Sequence, residues 1–205
     1  KPADERCIVP FEWLARERVA SLFAPEWRAQ LADPAGPLRC FEHAIPSEVP
    51  ALERLLALEQ RFFLADHNLA YTDRMSMAAG VEVRVPFLDP ELVELAARLP
   101  SECKQRGHTG KWVLKEAMRG ALPAQVIDRP KTGFGAPLRR WLREDLQPLA
   151  GELLSPAVLA RRGLFDADAV ARLRQQNAAG RIDAAYPLFA LMAIELWCRQ
   201  YLKSS

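Results

Sequence analysis

Apolar residues recur every three or four positions along much of this chain, which is the spacing of an amphipathic helix. The clearest helix start is DPE at residues 89–91. There an aspartate can cap the helix, proline occupies the first helical position, and an acid follows in the first turn. An apolar stripe runs on to residue 99, and Pro100 then predicts the end of the helix.

Other stretches show the same helical spacing. Residues 52–64 and 113–121 each carry a broad apolar face, and Asp166 can cap a further helix. Residues 186–202 are apolar nearly all round, which predicts a buried helix near the core. Residues 32–50 are rich in proline and glycine and are predicted to be a connecting loop.

One segment alternates with the period of a strand. VEVRV at residues 81–85 places its valines on one face and Glu82 and Arg84 on the other. One short strand cannot form a sheet, so the segment either stays extended without partners or pairs with strands outside this chain. Glu82 and Arg84 form either a buried ion pair that holds a turn or a polar wall facing a substrate pocket. Spacing alone does not decide between these alternatives.

Composition changes the picture mainly by exclusion. The 205 residues include 28 basic and 26 acidic side chains, so the net charge of +2 gives no strong attraction to nucleic acid or to a membrane surface. The longest apolar run, residues 184–198, is shorter than the about 20 apolar residues that span a bilayer. The four cysteines and three histidines are scattered without a CxxC pair, which predicts unpaired thiols and no metal site. We expect a cytoplasmic protein.

RPKTGFGAP at residues 129–137 has neither a helical nor a strand pattern. Pro130 restricts the backbone, while Gly133 and Gly135 permit positive φ and close approach of a ligand. Lys131 therefore lies on a constrained loop, where an aimed ammonium can bind phosphate and stabilise charge that develops at phosphorus. The alternative is a surface turn with an incidental lysine. The sequence contains no GxxxxGK[ST] motif, so this loop is not a P-loop.

Two other charged residues have open interpretations. Asp73 can cap a short helix that runs through residue 77, or it can belong to a site. Lys111 falls in the predicted first turn of a helix, where the helix dipole disfavours a cation. Its ammonium reaches either solvent or an anion held nearby.

Three motifs occur together in a fixed order. They are DRMSMAAGVEVRVPFLD at 73–89, GKWVLKEAMRGALP at 110–123 and RPKTGFGAPLRRWL at 129–142. Together they closely resemble the synthetase domain of the glutamine-hydrolysing asparagine synthetases. The resemblance is strong over residues 50–145 and looser on either side. It implies that residues 1–205 are a C-terminal fragment of that domain.

This resemblance implies an ATP-dependent amidation. ATP would adenylate the side-chain carboxylate of aspartate and release pyrophosphate. Ammonia, freed from glutamine in an N-terminal glutaminase domain, would then displace AMP and give asparagine. Lys131 is implied to be catalytic, because it stabilises charge at the α-phosphate. The other implied positions are, for substrate binding, Glu82, Arg84 and Asp73, and, for nucleotide binding, Gly133, Gly135 and Lys111.

Other motifs of that family are absent from this sequence. It contains no SGGxDS nucleotide-binding loop, no SGExxDE stretch for magnesium, and no N-terminal nucleophilic cysteine. The expected fold class is mainly α, the helical C-terminal portion of an α/β adenine-nucleotide alpha-hydrolase-like synthetase domain whose nucleotide-binding sheet is missing. ATP with Mg²⁺ is expected to bind only in the intact protein, and the fragment alone is expected to be inactive.

Two alternatives for the function stay open. Ala65 and Tyr71 stand where the family commonly has proline and lysine, so the chain could belong to a relative that amidates another carboxylate, in a polysaccharide or antibiotic pathway. The chain could also be a non-catalytic helical interaction module derived from the same scaffold. Whether two copies form a homodimer is likewise open.

Overall fold

The computed structural model describes residues 12–30, 45–46, 48–130 and 135–202. These residues are mostly helical, which confirms the prediction of a mainly α structure. They fall into two compact units, and each is described by itself. The C-terminal unit consists of residues 12–30 and 135–202, and the central unit consists of residues 45–46 and 48–130. The predicted loop at 32–50 lies mostly outside the described residues.

The α-helices of the described residues follow the chain in a simple order. They are α1 (Arg16–Ser21), α2 (Pro25–Gln30), α3 (Ala51–Leu58), α4 (Ala70–Ala78), α5 (Pro90–Arg98), α6 (Ser101–Lys104), α7 (Trp112–Met118), α8 (Ala124–Ile127), α9 (Leu138–Arg143), α10 (Gln147–Leu153), α11 (Pro156–Arg162), α12 (Ala167–Ala178) and α13 (Ala185–Tyr201). A π-helix, Glu59–Leu69, joins α3 to α4 without a break, and a 3-10 turn, Pro86–Leu88, precedes α5. No helix of the described residues is long and apolar enough to cross a bilayer.

Helix α5 follows its sequence signals closely. Oδ1 of Asp89 accepts hydrogen bonds from the backbone N–H groups of Glu91 (3.0 Å) and Leu92 (3.3 Å). The helix ends at Arg98, and Leu99 is extended (φ −68°, ψ 137°) before Pro100, as the residue preceding a proline prefers. Both ends were predictable because they depend on contacts within a few residues of sequence.

The alternating segment at residues 81–85 is not a strand. It is irregular and exposed, and no strand of the described residues pairs with it. The described residues instead form a small antiparallel hairpin from β1 (Gln105–Arg106) and β2 (Thr109–Gly110), which the sequence pattern did not predict. Alternation alone did not make a strand here because a strand needs a neighbour to accept its backbone hydrogen bonds.

The hydrophobic core of the C-terminal unit lies around α13, which packs against α9, α10 and α12. Leu142, Leu153, Val170 and Leu188 are almost completely buried there. One side of α13 is buried in this core as predicted, whereas the opposite side of the helix is exposed. A helix that is apolar all round presents two candidate faces, and only one of them meets this core.

The segment α1–α2 is joined to α12 through backbone and side-chain contacts. The Asp166 backbone N–H donates to Leu22 O, and the Ala24 N–H donates to Leu164 O. The Asp166 carboxylate caps α12 by accepting from the Ala169 N–H at 2.8 Å, which confirms the predicted cap. The same carboxylate accepts from Nη2 of Arg28 at 2.8 Å, so one aspartate holds both segments.

Candidate functional site

The constrained lysine loop is only partly described. Lys131 and Gly133 lie outside the described residues. Gly135 is described and exposed just before α9; its φ is not in the left-handed region, and an added Cβ would meet no atom of this chain within 4 Å. The conformation of this chain therefore does not itself require glycine at residue 135. The predicted close approach of a ligand remains a prediction.

Asp73 lies within a helix and does not begin one. It is exposed in α4, which continues the preceding π-helix, so the prediction of a cap at Asp73 was wrong. The physical reason is that a residue preceded by helix meets backbone N–H groups that already have helical partners. The Asp73 backbone carbonyl also accepts a hydrogen bond from Oγ of Ser76 at 3.0 Å.

A glycine at the end of α4 directs the chain into the segment with Glu82 and Arg84. Gly80 adopts φ +69°, its N–H donates to Met77 O at 3.0 Å, and the Val81 N–H donates to Ser76 O at 2.9 Å. These two bonds satisfy carbonyls at the end of the helix, as in a Schellman motif. The chain therefore leaves the helix in a defined direction at residue 81.

Glu82 and Arg84 form an ion pair on the surface of the central unit. Nη2 of Arg84 lies 2.6 Å from Oε1 of Glu82, and their side chains are 83% and 66% exposed, respectively. This exposure rules out the buried ion pair that was one of the two sequence interpretations. An exposed pair contributes only about 0–1 kcal/mol to stability, because water and salt screen it. Both side chains are accessible to a ligand.

Lys111 adopts an unusual backbone conformation. It has φ 55° and ψ 36°, and it is the one residue other than glycine with positive φ among the described residues. It immediately precedes α7 and is exposed, so it lies one residue before the first turn in which the sequence placed it. The left-handed region costs a residue with a Cβ about 1–2 kcal/mol. The surrounding structure has to supply that energy.

The hairpin before Lys111 supplies this support. Its register pairs Gln105 with Gly110 and Arg106 with Thr109, around a turn in which Gly107 has φ 58°. The Arg106 guanidinium lies 3.6 Å from the centroid of the Trp112 ring and makes a cation–π contact with it. Arg106 precedes the hairpin turn and Trp112 follows Lys111, so this contact joins the two ends of the segment that contains Lys111. The sequence analysis did not predict this hairpin or the Arg106–Trp112 contact. A two-residue loop that starts with glycine is a hairpin signal that could have revealed it.

The hairpin also concentrates positive charge. The sequence from 103 to 115 contains no acidic residue but includes Lys104, Arg106, His108, Lys111 and Lys115. Lys104 is paired with a glutamate of α3 at 2.5 Å, whereas no ion pair involves the other four among the residues that the structure describes. Among the described residues, Arg106, Lys111 and Lys115 are therefore cations without an ion-pair partner that lie close together in sequence, and such a group favours an anionic ligand.

Replacing Lys111 by glycine is expected to raise the free energy of unfolding of the central unit by about 0.5–1 kcal/mol, because glycine adopts positive φ without steric cost. Lys111→Ala is the matched control, since it also removes the ammonium but keeps the Cβ, and it is expected to change stability by less than about 0.5 kcal/mol. Urea denaturation of the three proteins measures both effects. Equal stabilities for the glycine and alanine variants would contradict the inferred strain.

The described residues contain no cluster of metal-ligating side chains. They contain no group of three or more histidine, cysteine, aspartate or glutamate side chains that could hold a metal ion. Magnesium prefers carboxylate oxygens in octahedral geometry. The described residues thus offer no ready-made cage of side chains for it.

Comparison with known proteins gives consistent results. The family model for asparagine synthase matches residues 7–199. A Mycobacterium tuberculosis (strain ATCC 25618 / H37Rv) protein classed with the glutamine-hydrolyzing asparagine synthetases is 37% identical over 142 residues, which are 67% of this chain and 21% of that protein. Asparagine synthetase [glutamine-hydrolyzing] 1 of Bacillus subtilis (strain 168) is 29% identical over 129 residues, 63% of this chain and 20% of that protein.

A relative with a different name also matches. Carboxyethyl-arginine beta-lactam-synthase of Streptomyces clavuligerus is 35% identical over 85 residues, which are 42% of this chain and 16% of that protein. No solved structure matches the chain. The matched part of the chain spans about a fifth of the length of the two asparagine synthetase relatives: 21% of the first and 20% of the second.

Proposed function

Because this chain belongs to the asparagine synthase family, we propose that it is the C-terminal part of the synthetase domain of an ATP-dependent amidotransferase that converts aspartate to asparagine. The observation that carries this proposal is the joint, ordered occurrence of the DRMSM–GVEVRVPFLD, GKW and KTGFG motifs within one family match. The matched residues cover only 21% and 20% of the two asparagine synthetase relatives, which supports the proposal that this chain is part of a larger protein.

The proposed reaction has two steps. An oxygen of the aspartate side-chain carboxylate attacks the α-phosphorus of ATP, the bond to the β-phosphate oxygen breaks, and pyrophosphate leaves. Ammonia, supplied by glutamine hydrolysis in another domain, then attacks the acyl carbon. AMP leaves, the nitrogen loses a proton, and asparagine remains. ATP with Mg²⁺, aspartate and glutamine-derived ammonia are therefore the proposed partners.

We assign Lys131 to the first step. Negative charge builds up on the α-phosphate oxygens as the carboxylate attacks, and a fixed ammonium next to them lowers the barrier. The neighbouring proline and glycines support this role, because they restrict the loop and leave room beside the lysine. Gly133 and Gly135 are proposed to let the nucleotide approach the backbone.

Lys111 is proposed to bind the phosphates of the same nucleotide. Two observations support this role. The backbone of Lys111 is in the left-handed region, and the Arg106–Trp112 contact holds the segment around it. In addition, the sequence from 103 to 115 contains no acidic residue. Strained residues other than glycine cluster at functional sites, where the surrounding structure holds them in place. An anion is the ligand that this charge pattern favours.

Glu82 and Arg84, together with Asp73, are proposed to bind the amino-acid substrate. Aspartate carries one ammonium and two carboxylates, and an adjacent carboxylate and guanidinium offer both complementary charges. The 2.6 Å pair is exposed, so each partner can exchange the other for a substrate group at little cost in stability. Asp73 is exposed on α4, which leads into the same segment.

The surface of the central unit supports the proposal that more polypeptide covers it. Its large exposed apolar side chains follow one another along the segment from α4 to α5. They are Met75, Met77, Val81, Val83, Val85, Phe87, Leu92 and Leu95. Exposed apolar surface of this extent marks a contact area. We propose that the nucleotide-binding sheet of the parent domain lies there, which would also account for the unpaired 81–85 segment.

A second candidate function is amidation of a different carboxylate. The similarity to a beta-lactam synthase and the alanine and tyrosine at residues 65 and 71 favour it. Acid-dependent exchange of pyrophosphate into ATP by the parent enzyme distinguishes the two, since only the true substrate supports adenylation. The upstream reading frame distinguishes the enzyme from a non-catalytic interaction module. It should encode the SGGxDS nucleotide-binding loop for the enzyme and lack it for the module.

The 205-residue chain by itself is expected to catalyse no aspartate-dependent ATP–pyrophosphate exchange, because the phosphate-binding loop of the family is absent from its sequence. The parent protein, assayed at the same concentration with labelled pyrophosphate, is the positive control and is expected to exchange. Exchange by the chain alone would contradict its assignment as a part of the synthetase domain that lacks the nucleotide-binding loop. No exchange by the parent with any acid would contradict the proposed function.

A further inference from the structure

A single carboxylate of α3 holds both ends of the short helix α6. Oε1 of Glu53 accepts a hydrogen bond from Oγ of Ser101 at 2.8 Å, and its Oε2 accepts one from Nζ of Lys104 at 2.5 Å. Ser101 and Lys104 are the first and last residues of α6. The whole helix is therefore fixed to α3 at two points.

The ion pair between Glu53 and Lys104 is partly shielded from water. The Glu53 side chain is 27% exposed and the Lys104 side chain is 16% exposed. The Lys104 ammonium also donates to Ala97 O at 3.3 Å, so it joins α6 to α5 as well. Because a helix of one turn is not stable by itself, these contacts determine where α6 lies.

Helix α6 supports the two elements that flank Lys111. The chain passes from Lys104 directly into β1, and the partner strand β2 ends one residue before Lys111. A two-stranded hairpin is marginally stable at best by itself in water. Helix α7, which follows Lys111, packs against α6 and has no buried residue of its own. The position of Lys111 therefore depends on α6 from both sides.

We propose that Glu53 is a positioning residue for Lys111. Its carboxylate fixes α6 to α3, and α6 in turn fixes the hairpin and α7 on either side of the lysine. This inference rests on the proposed function, in which Lys111 binds the phosphates of ATP. Glu53 acts through Lys111 rather than on the nucleotide, because both of its oxygens already accept hydrogen bonds and a carboxylate repels phosphate.

The expected size of the effect follows from the population of the binding conformation. The backbone of Lys111 is in the left-handed region, which a residue with a Cβ leaves readily once its support is weakened. If only about a third to a tenth of the molecules keep the binding conformation, the apparent dissociation constant rises about three- to tenfold. Glu53→Ala is therefore expected to raise the KM for ATP about three- to tenfold, with kcat at saturating ATP within about twofold of wild type.

Aspartate-dependent ATP–pyrophosphate exchange by the intact synthetase tests the proposal. Glu102→Ala is the matched control, because it removes the same charge from an exposed position in α6, and it is expected to leave the KM for ATP unchanged. Lys111→Ala is expected to raise that KM at least about tenfold, since it removes a charged contact to phosphate. Adding Glu53→Ala to Lys111→Ala is expected to raise the KM no further, because a positioning residue has no effect once the residue it positions is gone.

Amide hydrogen exchange gives a second measurement that does not depend on activity. In the same intact proteins, the amides of residues 105–112 are expected to exchange at least about threefold faster in Glu53→Ala than in wild type or Glu102→Ala. Glu53→Gln serves if the alanine variant folds poorly. It keeps the length of the side chain and one acceptor oxygen, so it is expected to change the KM and the exchange rate in the same direction but by less.

Four results would each overturn the role of Glu53. They are an unchanged KM for ATP in Glu53→Ala, an equal rise in Glu102→Ala, a further rise when Glu53→Ala is added to Lys111→Ala, and a loss confined to kcat, which would indicate a purely structural role. No exchange by the wild-type synthetase with any acid would instead contradict the proposed function. Hydrogen exchange still decides in that case, since unchanged protection of residues 105–112 in Glu53→Ala would overturn this inference by itself.

Discussion

Lys131→Ala is expected to lower aspartate adenylation by the intact synthetase at least about 10²–10³-fold, which is the usual effect of removing one group that stabilises a developing oxyanion. The loss should appear in kcat more than in the KM for aspartate. Charge on the α-phosphate oxygens grows between the ground state and the transition state, so the lysine stabilises the latter more. Aspartate-dependent ATP–pyrophosphate exchange measures this step directly.

The specificity of the Lys131 effect needs two comparisons. Glutamine hydrolysis by the same variant is expected to stay near the wild-type rate, since that reaction takes place in another domain. Arg161→Ala removes the same positive charge from the exposed end of α11 in the C-terminal unit, and it is expected to leave exchange unchanged. An asparagine yield near that of the wild type from Lys131→Ala would rule out the proposed role of this lysine.

Features that depend on neighbours within four residues could be predicted from the sequence. Both aspartate caps, Asp89 and Asp166, form as predicted, because a cap needs only its own side chain and the next three backbone N–H groups. Asp73 forms no cap because it lies inside a helix, where the next backbone N–H groups already have helical partners. The helix that precedes Asp73 runs through a π-helical stretch that the sequence pattern does not mark, so the position of Asp73 within it was missed.

Features that depend on distant or external partners could not be predicted. Residues 81–85 have the alternation of a strand, yet pairing requires a second strand, and none of the described residues supplies one. The left-handed conformation of Lys111 depends on a hairpin and on the stacking of Arg106 on Trp112, which are contacts between side chains rather than properties of a motif. In the candidate site, motifs therefore indicated which residues to consider, whereas exposure and backbone conformation came only from the fold.

Glu195→Ala is expected to lower the free energy of unfolding of the C-terminal unit by about 2–4 kcal/mol. The Glu195 side chain is 4% exposed, and it accepts hydrogen bonds from Nε of Arg162 and Nε of Arg199, both at 3.0 Å. Removing it leaves the guanidinium of Arg162, which is mostly buried, without its carboxylate. Breaking a buried pair costs about 3–5 kcal/mol; we take a lower value because Arg199 stays about one-third exposed.

The control for Glu195 lies at the other end of the same network. Glu152 pairs with Arg199 at 2.7 Å but is 62% exposed, so Glu152→Ala is expected to cost less than about 1 kcal/mol. Thermal or urea unfolding of the two alanine variants gives the comparison. An equal loss of stability in the two alanine variants would show that burial of the carboxylate does not determine its contribution. Glu195→Gln, which keeps the shape and one acceptor oxygen, is expected to fall between the two.

The stability of the C-terminal unit should also depend on pH through Glu195. Burial by itself would raise the pKa of this carboxyl, but the hydrogen bonds from Arg162 and Arg199 outweigh burial and hold the pKa below its ordinary value of 4.5. A carboxyl whose pKa is lower in the folded state stabilises that state above its unfolded pKa, and the stabilisation is lost as the pH falls through the folded pKa. The wild type should therefore lose stability more steeply than Glu195→Gln as the pH falls below about 4.5, because the glutamine has no proton to take up. Parallel pH profiles for the two proteins would show that the carboxylate charge of Glu195 does not stabilise the fold.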